Sequence, residues 1–468
     1  MAVILLTNPP CSLSERYGAL AAAGSTLPQL GLASLAAVLR QDGHRVTVCD
    51  CSAAGVSLED LARLAQRVRP DVLGVSAVTF TVARAAEAAR TVKRALPGVV
   101  AVLGGPHATA LPEETLAAFP EFDLIVRGEG EETIKDLLSA LAAGRNAEAV
   151  EGLALRKDGK VLRTPDRAPV SRLDALPFPA WDLLPGFPRR YRPALFRYRR
   201  LPAAHAVTSR GCPHACVFCD CAVFGRKVRA HSAQYMAAYA EHLSRSFAVR
   251  EIAFEDDQFL FSKTRAEEFC RRLLQKNPGL LFSANCRADA VDDLALLRLL
   301  RRAGFRQVSL GVESGDPDVL SRSGKGLALP AVAQAVGLLR RADIEARGFF
   351  VLGLPGETEK SLEATRRFIK KTPFSDINVF LCTPFPGSAL YAELRAQGAP
   401  LPEFSAMNTV SPAFLPEGMT AQRLARARAK LLREFYCRPG TAAAHAARLA
   451  ASPGALLRAA QTATALLK

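Results

Sequence analysis

Gly211-Cys212-Pro213-His214-Ala215-Cys216-Val217-Phe218-Cys219 is the stretch from which the rest of this 468-residue chain can be read. It spaces three cysteines as C-x3-C-x2-C. Thiolates this close in sequence cannot spread over a fold and converge on one small object. A zinc ion closed off by protein takes four ligands, whereas three cysteines on a tight loop suit a cubane iron–sulfur cluster with one iron left open. An open iron is a place for a substrate to bind. Phe218, just before the third cysteine, is an aromatic against which a cofactor ring can pack. The competing reading is a zinc loop that borrows His214 or Cys221 as a fourth ligand. Cys221 forms an extra C-x-C with Cys219 and reads as a bystander.

The motif, with its aromatic before the last cysteine, resembles the signature of radical S-adenosylmethionine (SAM) enzymes. In that family Cys212, Cys216 and Cys219 would hold a 4Fe-4S cluster whose open iron is chelated by the amino and carboxylate groups of SAM. The resemblance further implies that one electron from the cluster cleaves SAM to a 5′-deoxyadenosyl radical.

Composition sets the outer bounds. Hydrophobic residues make up 49% and charged residues 23%, which describes a folded globular chain long enough for two to three domains. Lys and Arg number 61 against 45 Asp and Glu, a net charge of +16. The arginines are scattered, so much of the excess reads as a solvated face, and no nucleic-acid partner is expected. Eleven cysteines in this length are no secreted disulfide scaffold. The N-terminal MAVILLTNPP lacks the charged start and long apolar run of a signal peptide and reads as a buried strand. No apolar run reaches the ~18–20 residues of a membrane span. The expected setting is reduced and cytoplasmic.

Residues 1–145 alternate short apolar runs with helical patterns, and this spacing predicts a doubly wound, Rossmann-like parallel sheet. Such sheets bind ligands at the carboxyl ends of their strands. Three of those ends carry marks: Ser76-Ala77-Val78-Thr79; Gly104-Gly105-Pro106-His107; and Gly128-Glu129-Gly130-Glu131. Gly104 and Gly105 would let a bulky ligand approach the backbone. The set resembles a cobalamin-binding domain, with Val78 where the family's Ser-x-Leu motif has Leu. Ser76, Val78, Thr79, Gly104, Gly105, Pro106, His107 and Gly128 are the cobalamin contacts this resemblance implies. The family's D-x-H-x-x-G, whose His ligates cobalt from below, has no counterpart in the first loop, which reads NPPCSLSERYG. The expectation is therefore cobalamin with no histidine on its lower face, and with Val78, Thr79 or Phe80 nearby.

Residues 146–200 read as a connector: a hairpin around Asp158-Gly159, then the proline-rich Leu176–Asp182 stretch, then six arginines between Arg189 and Arg200. Residues 201–415 alternate strand and helix six times, which predicts a partial (β/α)6 barrel with its active site at the carboxyl ends of the strands. There lie Glu255-Asp256-Asp257, Arg287, Gly311-Val312-Glu313-Ser314-Gly315 and Gly353-Leu354-Pro355-Gly356-Glu357. A guanidinium such as Arg287 can grip a carboxylate bidentately. By resemblance to the radical SAM core, Phe218, Asp256, Asp257, Arg287, Glu313, Ser314 and Gly353 would contact SAM. All of these follow Ala206, so the barrel is expected to bind and cleave SAM without help from the first domain. Residues 416–468 read as a helical region whose alanine-rich, basic tail favours a docked helix, with peripheral membrane contact as the alternative.

Together these features resemble the cobalamin-dependent radical SAM enzymes, and in particular their class B methyltransferases. The resemblance implies methylation of an unactivated carbon or phosphorus of a small molecule or lipid. One SAM would methylate the reduced cobalamin and another would generate the radical, with electrons from an external flavodoxin- or ferredoxin-type donor. A cyclase or ring-rearranging enzyme without methyl transfer is the second reading, and a non-catalytic cobalamin or cluster sensor the third.

Overall fold

The computed structural model describes residues 1–276, 279–450 and 453–467. The N-terminal apolar runs form β1 (Val3–Asn8), β2 (Arg45–Asp50), β3 (Val72–Ser76), β4 (Val100–Gly104) and β5 (Leu124–Val126), all parallel in the order β2-β1-β3-β4-β5. Parallel strands are covered on both faces, so they need apolar residues in both alternating sets. β1 illustrates this. Ile4 and Leu6 belong to a core shared with Leu32, Ala36 and Leu39 of the helix Leu30–Gln41, whereas Leu5 joins Leu61, Val75 and Val82 on the other face.

The sheet does not stop at residue 145. β6 (Leu153–Lys157) pairs antiparallel with β5, and β7 (Lys160–Arg163) with β6, giving seven strands. The two residues between them, Asp158 and Gly159, both have positive φ (49° and 76°), as a type I′ hairpin turn requires. The hairpin foreseen in the connector is thus the edge of the first sheet. An isolated two-stranded hairpin is marginal, and a bare three-residue β5 would leave a row of unpaired backbone groups. Joining them removes both problems.

The second sheet is wholly parallel, in the order β15-β14-β13-β12-β11-β8. Its strands are β8 (Ala203–Ala206), β11 (Glu251–Phe254), β12 (Leu281–Cys286), β13 (Phe305–Glu313), β14 (Glu345–Leu352) and β15 (Asp376–Leu381). β8 and β15 are its two edges and do not pair, so the barrel stays open. Between β8 and β11 a two-stranded antiparallel neck, β9 (Ser209–Arg210) with β10 (Arg229–Ala230), closes off the cysteine loop. In β13, Val308, Leu310 and Val312 lie in the core against the helices. Gln307, Ser309, Gly311 and Glu313 alternate with them on the opposite face.

The linker packs through its apolar residues. Trp181 is fully buried, donates its indole N–H to the Tyr239 hydroxyl at 2.7 Å and stacks on Phe187. Of the six arginines, Arg192 donates to the carbonyl of Ala22 and Arg197 pairs with Glu255, while the exposed Arg199 pairs with Glu345 at the surface. Arg189, Arg190, Arg199 and Arg200 are exposed, as a solvated basic face has them, and Arg192 and Arg197 are the two that turn inward. At the C-terminus, Ala421–Tyr436 docks through Leu424, Leu431 and Phe435, and Tyr436 donates to Asp376 at 2.6 Å. In the last helix, Arg458 donates to the carbonyls of Ala22, Gly24 and Pro193. Among the described residues no helix is long and apolar enough to cross a membrane.

Candidate active site between the two sheets

The cysteine loop is pinned from several sides. Gly211 has φ +91°, and a Cβ there would run into the Lys227 carbonyl, so the neck demands glycine. Inside the loop the Cys212 N–H donates to Gly225 O (3.2 Å) and the Cys219 N–H to Cys216 O (3.2 Å). From outside, Val217 N–H donates to Ser323 O (2.9 Å) and Val217 O accepts from Leu390 N–H (2.8 Å). These bonds hold the loop over the carboxyl ends of β13 and β15. Cys212 and Cys216 are half-buried, Cys219 is exposed, and all three are free thiols. Although the Cys219 side chain reaches solvent, desolvation by the loop packed around it raises the thiol well above its ordinary value, and neighbouring Cys221, Asp257 and Cys216 push it further. Crowded sulfurs that resist ionising on their own suit a cationic partner, which would stabilise their thiolate forms. No three His, Cys, Asp or Glu side chains among the described residues could hold one metal ion. A cubane takes its thiolates on separate corners, which does not require such convergence.

Around the loop, the strand ends bring the residues singled out for SAM onto one face, but their side chains are differently engaged. Phe218 packs with Val319, Leu354, Cys382 and Leu390. Glu313 sits where β13 shifts register, at φ +67°, and its Oε1 accepts from Lys325 Nζ at 2.7 Å. Positive φ in a non-glycine residue is uncommon and re-aims the side chain. Ser314 Oγ lies 3.2 Å from Thr365 Oγ1, and Gly353 N–H donates to Glu357 at 3.1 Å. Asp257 is exposed beside the cysteines.

Two residues are placed otherwise than the sequence suggests. Asp256 is buried, and its oxygens accept from Thr208 N (2.5 Å), Thr208 Oγ1 (2.5 Å) and Ser209 N (3.2 Å), with Arg265 at 3.5 Å. It staples β11 to the segment entering the cysteine loop. Arg287 grips Asp289 bidentately (3.0 and 2.7 Å) and the Lys325 and Gly326 carbonyls. Its fork is therefore turned to its own chain, where it orders the loop that carries Lys325.

A cavity of about 580 Å³ lies between the two sheets. From the first sheet it is lined by Ser76, Gly104, Gly105, Pro106 and Gly128, and it runs inward along Leu6, Val102, Leu35 and Val38. The barrel contributes His205, Val207, Arg210 and Glu255. Val78 and Thr79 are not in this lining; Val78 is half exposed and Thr79 is buried. His107 is not there either. It is buried, with Nδ1 3.3 Å from Thr79 Oγ1 and its ring edge-on to Phe404, and desolvation lowers its pKa to about 4. His107 is a neutral core residue because the helix Pro106–Ala110 turns it under residues 404–407.

Gly104 and Gly105 differ. A Cβ on Gly104 would meet nothing nearer than Val126 O at 3.8 Å, whereas one on Gly105 (φ +101°) would lie 2.5 Å from Ala77 O. Gly105 is thus required by its own neighbour, and of the two it is Gly104 that is bare toward the cavity without an internal reason.

Sequence reasoning missed Lys325, although Ser323-Gly-Lys-Gly326 carries the glycine punctuation of a loop that approaches backbone. It also missed the buried ion pairs of Arg210 with Glu129 (2.8 Å) and Glu131 (2.6 Å). The Gly-Glu-Gly-Glu pattern gave the signal for one partner, but nothing local marks the other. The pairing of Arg197 with Glu255, whose other oxygen accepts from Asn285 at 3.0 Å, had no sequence signal at all.

Residues 17–138 match the family described as B12 binding domain, and residues 206–369 the Radical SAM superfamily. The chain is 31% identical to the Uncharacterized methyltransferase PH0819 of Pyrococcus horikoshii, over 94% of this chain and 93% of that protein. It is 30% identical to the Anaerobic magnesium-protoporphyrin IX monomethyl ester cyclase of Rubrivivax gelatinosus, over 84% of this chain and 70% of that one. In fold it is similar to the cobalamin-dependent S-adenosylmethionine radical enzyme OxsB (TM-score 0.75, 17% identity, 99% of this chain and 72% of that chain). Two cofactor-named domains in this order, and a relative matched almost end to end, show that the chain belongs to the cobalamin-dependent radical SAM enzymes and is homologous to their class B methyltransferases.

Proposed function

We propose that the chain transfers a methyl group to an unactivated carbon or phosphorus of a small molecule or lipid. The observation that carries this is the cavity itself, walled by the first sheet's carboxyl edge on one side and by the ends of β8 and β11 on the other. It supports a large planar cofactor lying between the two halves, with the substrate at the same junction.

In this reading Cys212, Cys216 and Cys219 hold the 4Fe-4S cluster, and Cys219, the exposed thiol, marks the side from which a flavodoxin- or ferredoxin-type donor delivers its electron. Lys325 and Glu313 face the cluster loop as a preformed charge pair. Asp257 accepts hydrogen bonds from the SAM amino group, and Ser314 and the Gly353 turn border its nucleoside. Ser76, Gly104, Pro106 and Gly128 present small surfaces to cobalamin, while Leu35 and Val38 wall an apolar slot for its displaced tail. When bound, the three groups supply one-electron cleavage of SAM and a transferable methyl group. The protein's part is to hold them at fixed separation and to exclude water. Arg458 on the backbone of residues 22–24 supports a docked tail rather than a membrane anchor.

The test is anaerobic turnover of the reconstituted enzyme with methyl-deuterated SAM, followed by product mass analysis. A product heavier by one labelled methyl supports methylation. A rearranged product without label would favour the cyclase reading, toward which the Rubrivivax relative points. Absence of both products and of SAM cleavage would leave the sensor reading.

A further inference from the structure

Arg210 and Arg229 are directly opposed in the two-stranded neck of the cysteine loop. Like charges facing each other across a ladder repel, and both side chains here are about nine-tenths buried. What neutralises them comes from the other sheet. Glu129 receives Arg210 on one oxygen at 2.8 Å and Arg229 on the other, and Glu131 takes the second arm of Arg210 at 2.6 Å. Both carboxylates are themselves buried. Arg229 also donates to the carbonyls of Val170 (2.8 Å) and Phe224 (3.1 Å), and the Arg210 guanidinium lies 5.3 Å from the Phe224 ring centre.

The two ends of this network are the two cofactor loops. Gly128, Glu129, Gly130 and Glu131 border the cavity at the end of β5, and Arg210 stands two residues before Cys212. Gly128 (φ +69°) would bring a Cβ to 4.0 Å from Val223 O of the cysteine loop, an ordinary contact distance that makes the two loops neighbours. The expectation that the barrel works without the first domain meets this contact. A neck holding two buried guanidiniums is stable only while the first sheet supplies its carboxylates.

Resting on the reading above, we propose that Glu129, with Glu131 and Arg210, is a positioning unit that fixes the iron–sulfur loop relative to the cobalamin face. It thereby sets the separation of the two metal centres. None of these side chains is assigned a bond to either cofactor.

The experiment uses the full chain loaded with cobalamin and cluster, reduced so that cob(II)alamin and the cluster are both paramagnetic. Pulsed EPR then reads the dipolar distance between them. Wild type should give one narrow distribution. Glu129→Gln, keeping stoichiometric cobalamin and iron, should broaden that distribution at least twofold or shift its centre; Glu129→Asp should restore most of the width. An unchanged distribution in Glu129→Gln overturns the proposal, because a merely local structural residue would leave the distance alone. Should Glu129→Gln lose its iron, Glu131→Gln, which leaves both arginines on Glu129, carries the same reading: broadening supports it and an unchanged width overturns it. Wild type that takes up no cobalamin overturns the underlying reading, and the inference with it.

Discussion

Lys325 Nζ lies 2.7 Å from Glu313 Oε1, with both side chains about nine-tenths buried beside Cys216. Burial pulls the lysine pKa down, and the Glu313 carboxylate more than reverses that, so Lys325 ends above its ordinary value. The pair is a charged, neutral-sum element placed at the cysteine loop. Removing one partner leaves a buried charge uncompensated, which costs about 3–5 kcal/mol. Lys325→Ala should therefore lower urea-unfolding stability by about that much and weaken SAM binding. Glu313→Gln should reduce SAM affinity at least tenfold by isothermal titration while leaving bound cobalamin absorbance at wild-type level. Unchanged SAM affinity in both variants would remove the pair from the site.

The three cysteines make a sharper separation. Cys216→Ala should lose most of its iron and all reductive SAM cleavage, whereas Cys221→Ala should keep both, because only the C-x3-C-x2-C thiols are needed for a three-point cluster. Iron analysis and 5′-deoxyadenosine yield check this. A Cys216→Ala protein with full iron would sink the assignment.

Much of this architecture is legible in the sequence for a simple reason. Strands buried on both faces write themselves as apolar runs, so the alternations read over residues 1–145 and 201–415 become the parallel strands of the two sheets. What stays hidden is whatever depends on distant partners. The hairpin at Asp158-Gly159 is visible, but its pairing to β5 is not, since register between strands far apart leaves no local mark. Asp256 and Arg287 have the right chemistry at the right strand ends. Their engagement with Thr208 and with Asp289 follows from folded geometry that no spacing encodes.

Glu357 provides a pH test. It is buried, and desolvation raises its pKa to about 7, although hydrogen bonds from Ser361 and Gly353 oppose that. The native state therefore holds a proton that the unfolded chain releases near 4.5, and stability should fall as pH rises from about 4.5 to about 7. The loss is about 3 kcal/mol in total. Glu357→Gln cannot ionise and should flatten that slope in denaturant titrations between pH 5 and pH 8. A slope equal to wild type would mean that another group titrates.

Cobalt ligation follows from the histidines. The first loop, Asn8–Ser12, has none, and His107 is tied to Thr79 beneath Phe404, out of the cavity. His231, on the barrel wall, lies 3.1 Å from Asp174 through Nδ1 and stacks on Tyr235. Bound cob(II)alamin should show no threefold nitrogen splitting in its EPR spectrum. If such splitting appears, His205 is the residue to replace first, since it lines the cavity and its Nδ1 is unpartnered.

The adjacent glycines at the end of β4 separate cofactor binding from folding. Gly105 has φ +101°, and a Cβ there would press on the Ala77 carbonyl, so Gly105→Ala should destabilise the chain whether or not cobalamin is present. Gly104 has open space at its Cβ position and borders the cavity. Gly104→Val should therefore fold with a melting temperature near wild type while its isopropyl group occupies the volume that cobalamin needs. Cobalamin retained after desalting should drop at least tenfold. The barrel's own sites should stay intact, so iron content and 5′-deoxyadenosine formation should remain measurable in the same anaerobic preparation. Full cobalamin retention by Gly104→Val would mean that the cofactor does not approach this strand end, and the cobalamin face would have to be sought elsewhere along the cavity wall.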